Sequence, residues 1–120
     1  MQSEALVRQW FQYWENGDFE DLPIADDFNH TSPYGTIRGK EAYLEIVKLN
    51  RDNFLGHRFE IHDSMFSEDH ACVRYSAIKD NFRLDVSEWY YFKGGLIGKI
   101  VAYYNIDGEI SDERKLEIPD

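Results

Sequence analysis

The sequence predicts an α+β domain in which helices come first and a curved antiparallel sheet wraps around them. Up to Phe54, apolar residues recur mainly at three- and four-residue spacing, the period of a helix with one buried face. From His57 onward the period changes to two and stays there, through four segments separated by short polar or Gly-Gly turns. These segments run to about ten residues, longer than the usual five or six, so the meander must twist and curl. The helices are then the only layer available to fill its concave side.

Taken in order, Leu6, Val7, Trp10, Phe11, Tyr13 and Trp14 give the first helix, Ser3 to Asn16, a heavily aromatic face, with Ser3 able to cap and Gly17 following as a stop. "GDFEDLPIADDF" reads as a short helical turn running into an acidic corner, its regularity limited by Pro23. "FNHTSPYG" reads as a short strand closed by a Ser-Pro turn. Gly39 opens a third helix carrying Tyr43, Ile46, Val47 and Phe54 on one face and ending near Gly56. The strands are "HRFEIHDSMF", "HACVRYSAIK", "LDVSEWYYFK" and "LIGKIVAYYNI". Residues 1–108 form the expected single domain, and 109–120 a charged C-terminal tail.

Composition excludes several function classes. Thirteen basic and twenty-three acidic residues give a formal charge of −10, which repels phosphate backbones and anionic bilayers, so neither nucleic acid nor membrane is an expected partner. No segment has the apolar length of a membrane span and the start lacks a signal-peptide pattern, so the expected location is cytoplasmic. The single Cys72 excludes an intrachain disulfide. His30, His57, His62 and His70 show no metal-ligand spacing, and no metal is expected.

One residue is out of place. In "LDVSEWYYF" every second position gives Leu84, Val86, Glu88, Tyr90 and Phe92, an apolar stripe with a carboxylate in its middle. Such a carboxylate must be paired, as with Arg74, be satisfied by tyrosine hydroxyls, be protonated, or face a cavity. The last hairpin fixes its neighbours. A two-residue Gly94-Gly95 turn would set Glu88 opposite Val101, and a three-residue loop would set it opposite Ala102. Face chemistry selects the second, which joins the stripe to Ile100, Ala102 and Tyr104 and leaves Trp89, Tyr91, Val101 and Tyr103 on the other face.

The order "ENGD", "ADDF", "SPYG", "RGKEAY" and a closing "KIVAYYNID" resembles the nuclear transport factor 2-like superfamily, in its SnoaL-like and ketosteroid isomerase branch, from Ala5 to Asp107. The resemblance implies a cone: an α+β roll, also called cystatin-like, with a pocket between the curved sheet and the long helix. It places Glu88 on the isomerases' carboxylic acid, which apolar surroundings hold neutral. Two positions depart. The family's oxyanion-hole tyrosine falls on Trp10, which donates one N–H and cannot ionise. Its aspartate base falls on Ser32, which is no unassisted base near neutral pH. The cyclases' aspartate falls on Asn105. His30 lies two residues before Ser32 on the same strand face and titrates in a range where it can take a proton.

The expected function is therefore a pocket for a small hydrophobic molecule, suited to cofactor-free proton transfer on a carbonyl compound by isomerisation, cyclisation or dehydration. His30 would be the base and Glu88 the proton donor or charge stabiliser. Trp10, Trp14, Ser32, Tyr34, Val86, Tyr90 and Tyr104 would form the substrate-binding wall. The alternatives are a ligand-binding module without chemistry and an association domain acting through the outer sheet face. That face, with Trp89, Tyr91, Val101 and Tyr103, predicts a symmetric homodimer.

Overall fold

The computed structural model describes residues 2–106. Its elements are α1 (Gln2–Asn16), a short 3-10 turn (Phe19–Asp21), β1 (Ile24–Ser32), β2 (Gly35–Arg38), α2 (Lys40–Leu49), α3 (Arg51–Phe54), β3 (Arg58–Phe66), β4 (His70–Lys79), β5 (Phe82–Lys93) and β6 (Leu96–Tyr103). The six strands form one curved, unclosed sheet in the order β2-β1-β6-β5-β4-β3. All pairings are antiparallel except that of β1 with β6. The proposed tail, 109–120, lies outside the described residues.

Helix α1 lays Val7, Trp10 and Phe11 against the sheet's inner face, as its spacing requires. Its end is a Schellman closure: Asp18 N–H donates to the Tyr13 carbonyl at 2.9 Å and Gly17 N–H to that of Trp14 at 3.4 Å. Gly17 sits at φ 80°, and a Cβ there would meet Leu55 Cδ2 at 2.7 Å, so both conformation and space call for glycine. Ser3 is no cap. It lies within the helix, its hydroxyl buried without a partner among the described residues.

Three elements differ from the sequence reading. The acidic corner is the start of β1, which begins at Ile24 and runs nine residues. Ile24 and Phe28 are buried while Asp26 and Asp27 between them are exposed, and the register to β6 shifts between Ile24 and Asn29. Two successive outward acids break the alternation, which is why the sequence shows this strand only from Phe28 onward. The four-residue β2 was not anticipated; it pairs back on β1 across the Pro33-Tyr34 turn. The third helix is two, broken at Asn50, whose φ and ψ of −109° and 19° leave the helical range while its side-chain amide donates to the Ile46 carbonyl at 2.8 Å.

The last hairpin reaches the expected register by a different device. Lys93 opposes Leu96, so the turn has two residues, Gly94 and Gly95. The register then shifts between Tyr91 and Phe92, and beyond that point Glu88 opposes Ala102. Gly98 is the extra residue of this bulge; a Cβ there would meet Lys93 Cβ at 3.1 Å. The bulge thereby carries Glu88 to the place where the core opens.

Candidate functional site

Between the inner face of the sheet and the three helices lies a cavity of about 680 Å³. Trp10, Trp14, His30, Ser32, Tyr34, Val86, Glu88 and Tyr104, named from the sequence, all line it. Tyr90 does not. It is fully buried beneath the wall and donates its hydroxyl to Glu88 Oε1 in a short hydrogen bond. Its part is to position the carboxyl rather than to touch a ligand.

Glu88 is 4% exposed. Tyr75 donates to its other oxygen, Oε2, at 3.1 Å. Tyr75 stands opposite Val86 on β4, two residues along the ladder from the Val73–Glu88 pair, a diagonal that a long side chain spans. Arg74 points to the outer face and pairs with Asp63 at 2.6 Å, so the sequence alternative of a Glu88–Arg74 pair is excluded. Burial pushes the Glu88 carboxyl up to about 7; the hydroxyls of Tyr90 and Tyr75, and more weakly the Trp10 indole, pull the other way without reversing the effect. Burial and the Glu88 charge likewise hold the Tyr75 and Tyr90 phenols well above their ordinary range.

His30 stands against Tyr43, with ring centroids 5.1 Å apart and planes inclined by 32°. No hydrogen bond among the described residues engages its ring, and burial lowers it to about 4, so it is a neutral imidazole at pH 7. The ladder gives its relation to Glu88. His30 opposes Ile100 and Ile100 opposes Tyr90, so His30 and Tyr90 stand at one level two strands apart, about 10 Å by ordinary strand spacing. Glu88 is two residues from Tyr90 along β5. A ligand that touches both His30 and Glu88 therefore reaches across two strand spacings of the wall.

Ser32 follows the Thr31–Val101 pair and so stands near the level of Ala102 and Glu88. Its hydroxyl accepts the Tyr34 N–H at 3.2 Å, a local turn bond with no link to His30. Sequence reasoning missed Tyr75, Tyr43, Phe59, Asn53 and His57, all of which line the cavity. A signal for Tyr75 was present: it alternates with Val73 and Ala77 as an inner-face stripe of β4. His57 is half-buried, its Nδ1 3.0 Å from the Phe54 carbonyl. Among the described residues no cluster of three His, Cys, Asp or Glu could hold a metal ion. No described helix is long and apolar enough to cross a membrane.

A groove of about 730 Å³ also lies on the outer face. It is shallow, and its arginines, Arg74 and Arg83, are engaged by Asp63 and Asp85. The inner cavity, with a buried carboxyl and a neutral imidazole in one apolar wall, is where chemistry is possible.

The profile of the SnoaL-like domain matches residues 7–102. The chain belongs to the SnoaL-like domain family. Solved structures agree on the fold. A nuclear transport factor 2-like protein of unknown function from Burkholderia xenovorans superposes with a TM-score of 0.75 at 15% identity, covering 98% of this chain and 96% of that one. A candidate ketosteroid isomerase from Kribbella flavida gives 0.74 at 17% identity, covering 99% and 91%. A candidate polyketide cyclase from Xanthomonas campestris gives 0.70 at 17%, covering 87% and 90%. No curated protein matches the chain. At such identities the SnoaL-like fold is shared and the chemistry of this cavity rests on its own residues.

Proposed function

We propose that this SnoaL-like protein binds a flat, hydrophobic carbonyl compound and transfers a proton on it through an enol. The observation that carries the reading is Glu88: a carboxyl inside an apolar cavity, hydrogen-bonded by Tyr75 and Tyr90, and held near pH 7 between its acid and ionised forms. In its acid form it donates a hydrogen bond to the substrate oxygen, where charge develops as the C–H bond breaks. The neutral His30 takes that proton and returns it at a second carbon, leaving both residues as they began. Because burial makes His30 a weak base, the substrate needs an acidified C–H, such as one between a carbonyl and an aromatic ring. The candidate isomerase and cyclase among the structural neighbours are in keeping with this class.

The test uses 2-tetralone in deuterated water. Exchange of its benzylic C–H should be faster with the protein, and His30→Ala should lower the rate about 10²-fold, the usual scale for a general base. Binding seen as Trp10 or Trp14 quenching, with exchange no faster than in buffer, would leave a ligand-binding module without chemistry.

A second reading concerns assembly and is favoured by the outer face. Trp89, Tyr91 and Tyr103 are 38%, 39% and 61% exposed there, beside ion pairs that neutralise the neighbouring charge. An exposed aromatic face of this kind suits a symmetric homodimer. Sedimentation equilibrium at micromolar concentration should show a dimer, and Trp89→Arg a monomer; a monomeric parent chain would end the reading.

A further inference from the structure

The cavity wall has a charge balance that a carbonyl ligand does not use. Among the described residues no Lys or Arg lines it, and its one anionic group is Glu88. The groups around that carboxyl are phenols and an indole, Tyr75 from β4, Tyr90 from β5, Tyr43 from α2 and Trp10 from α1, with Tyr104 beyond β6 and the imidazole of His30 from β1 elsewhere in the same wall. None brings a positive charge at neutral pH, since His30 is neutral. The two phenols, one on each carboxylate oxygen, arrange donors that suit the ionised form, which is left without a counter-ion.

We propose that the cavity is also a cation site: with Glu88 ionised it binds a hydrophobic amine, the ammonium against the carboxylate and the hydrocarbon body along the aromatic wall. Aromatic walls attract cations as well as apolar surface, and a chain of charge −10 draws cations towards its openings. An anionic ligand finds no lysine or arginine in this wall and meets the Glu88 charge, with His57 the one other ionisable nitrogen besides His30, so it is disfavoured. The inference rests on the proposed function only in taking the cavity as a ligand site, and it assigns a second ligand class with the opposite proton requirement. A ketone takes the acid form of Glu88 and an amine takes the ionised form.

The test compares three ligands of one carbon frame: 2-tetralone, 2-aminotetralin and tetralin-2-carboxylate, by calorimetry at pH 6 and pH 8. An alkyl amine with a pKa near 10 stays protonated across this range while Glu88 passes from about one-tenth to about nine-tenths ionised, so amine affinity should rise about tenfold. Ketone affinity should fall, and the carboxylate should not bind. Glu88→Gln should abolish the pH dependence and weaken the amine at pH 8 by tenfold or more, with circular dichroism showing that the variant is folded. Should that variant fail to fold, the slopes of the parent protein decide alone. Amine affinity that is flat or falls with pH, or carboxylate binding as tight as the amine's, overturns the cation site. Ketone binding without amine binding removes this inference and leaves the proposed function, and amine binding without ketone binding does the reverse. If neither binds, both fall.

Discussion

The two faces of β5 handle their acids in opposite ways. On the outer face Asp85 meets Arg83 at 3.0 Å and accepts the Ser76 hydroxyl at 2.6 Å, and Arg83 and Ser76 hold its carboxyl below its ordinary range. On the inner face Glu88, three residues on, meets only phenols and an indole and is held above its own. The same strand thus carries an ion-paired carboxylate in water and one whose acid form is favoured by an apolar cavity. The difference is the counter-ion. Where arginine and solvent reach, charge is kept; where neither reaches, the proton stays until pH 7, and a ligand can decide whether it leaves.

The largest effect that can break this comparison is thermodynamic. The unfolded chain ionises Glu88 near 4.5 and the folded chain near 7, so folding stability contributed by the protonated group is intact below 4.5 and lost as pH rises through that window, by roughly 3 kcal/mol. Glu88→Gln should therefore gain about that much relative to the parent between pH 4 and pH 8. His30 works with the opposite sign. Its folded value near 4 lies below the ordinary 6.5, so the stability linked to its neutral form is present above 6.5 and lost as pH falls towards 4. From 4.5 to 6.5 the two slopes oppose each other, and each variant should unmask the other: stability rising with pH in Glu88→Gln and falling with pH in His30→Phe. Urea unfolding across pH 4 to 8 measures this. A Glu88→Gln difference that does not change with pH would mean that the carboxyl is ionised in the fold at its ordinary value.

The inner face was legible in the sequence because its strands are long and one of its stripes contains a misfit. Glu88 could be placed opposite Ala102 from strand alternation and the face chemistry of the last hairpin, whereas Trp10, His30 and Ser32 are placed at the pocket through the family resemblance; eight of the nine named site residues line the cavity. What could not be read follows from breaks in period. Asp26 and Asp27 hid the start of β1; Asn50 split a helix whose apolar spacing runs on undisturbed; the Gly98 bulge imitates a longer turn. Tyr90 was assigned to the wall because a stripe gives the face of a residue and not its depth, and depth is set by where α1 packs. His30 and Ser32 share a strand face as expected, yet only the sheet order shows that Glu88 lies two strands away from both.

The two phenols on Glu88 sharpen the comparison at a smaller scale. Removing either donor takes a hydrogen bond from the ionised form, so Tyr90→Phe and Tyr75→Phe should both raise the Glu88 titration further above 7, Tyr90→Phe more, in keeping with its larger pull. Each should destabilise by about 1–3 kcal/mol, with a larger loss at pH 8 than at pH 5, because the unmet acceptor is charged only at the higher pH. Carbon NMR of the glutamate carboxyls reads the titration directly. A lower value in either variant would show that the phenols bind the acid form instead.

The smallest effect belongs to the outer face. Arg74 and Asp63 are in close contact, but their side chains are 59% and 70% exposed, so water already satisfies much of what each offers the other. Such pairs contribute under about 1 kcal/mol and less in salt. Arg74→Met should thus change monomer stability by only a few tenths of a kcal/mol, and leave the Glu88 titration where it is, since no part of the guanidinium's charge is spent on the inner carboxyl. This is the control that separates the faces. If Arg74→Met moved Glu88 by a full pH unit, the sheet would not insulate its two sides, and the raised acid of the cavity could no longer be ascribed to burial among apolar walls.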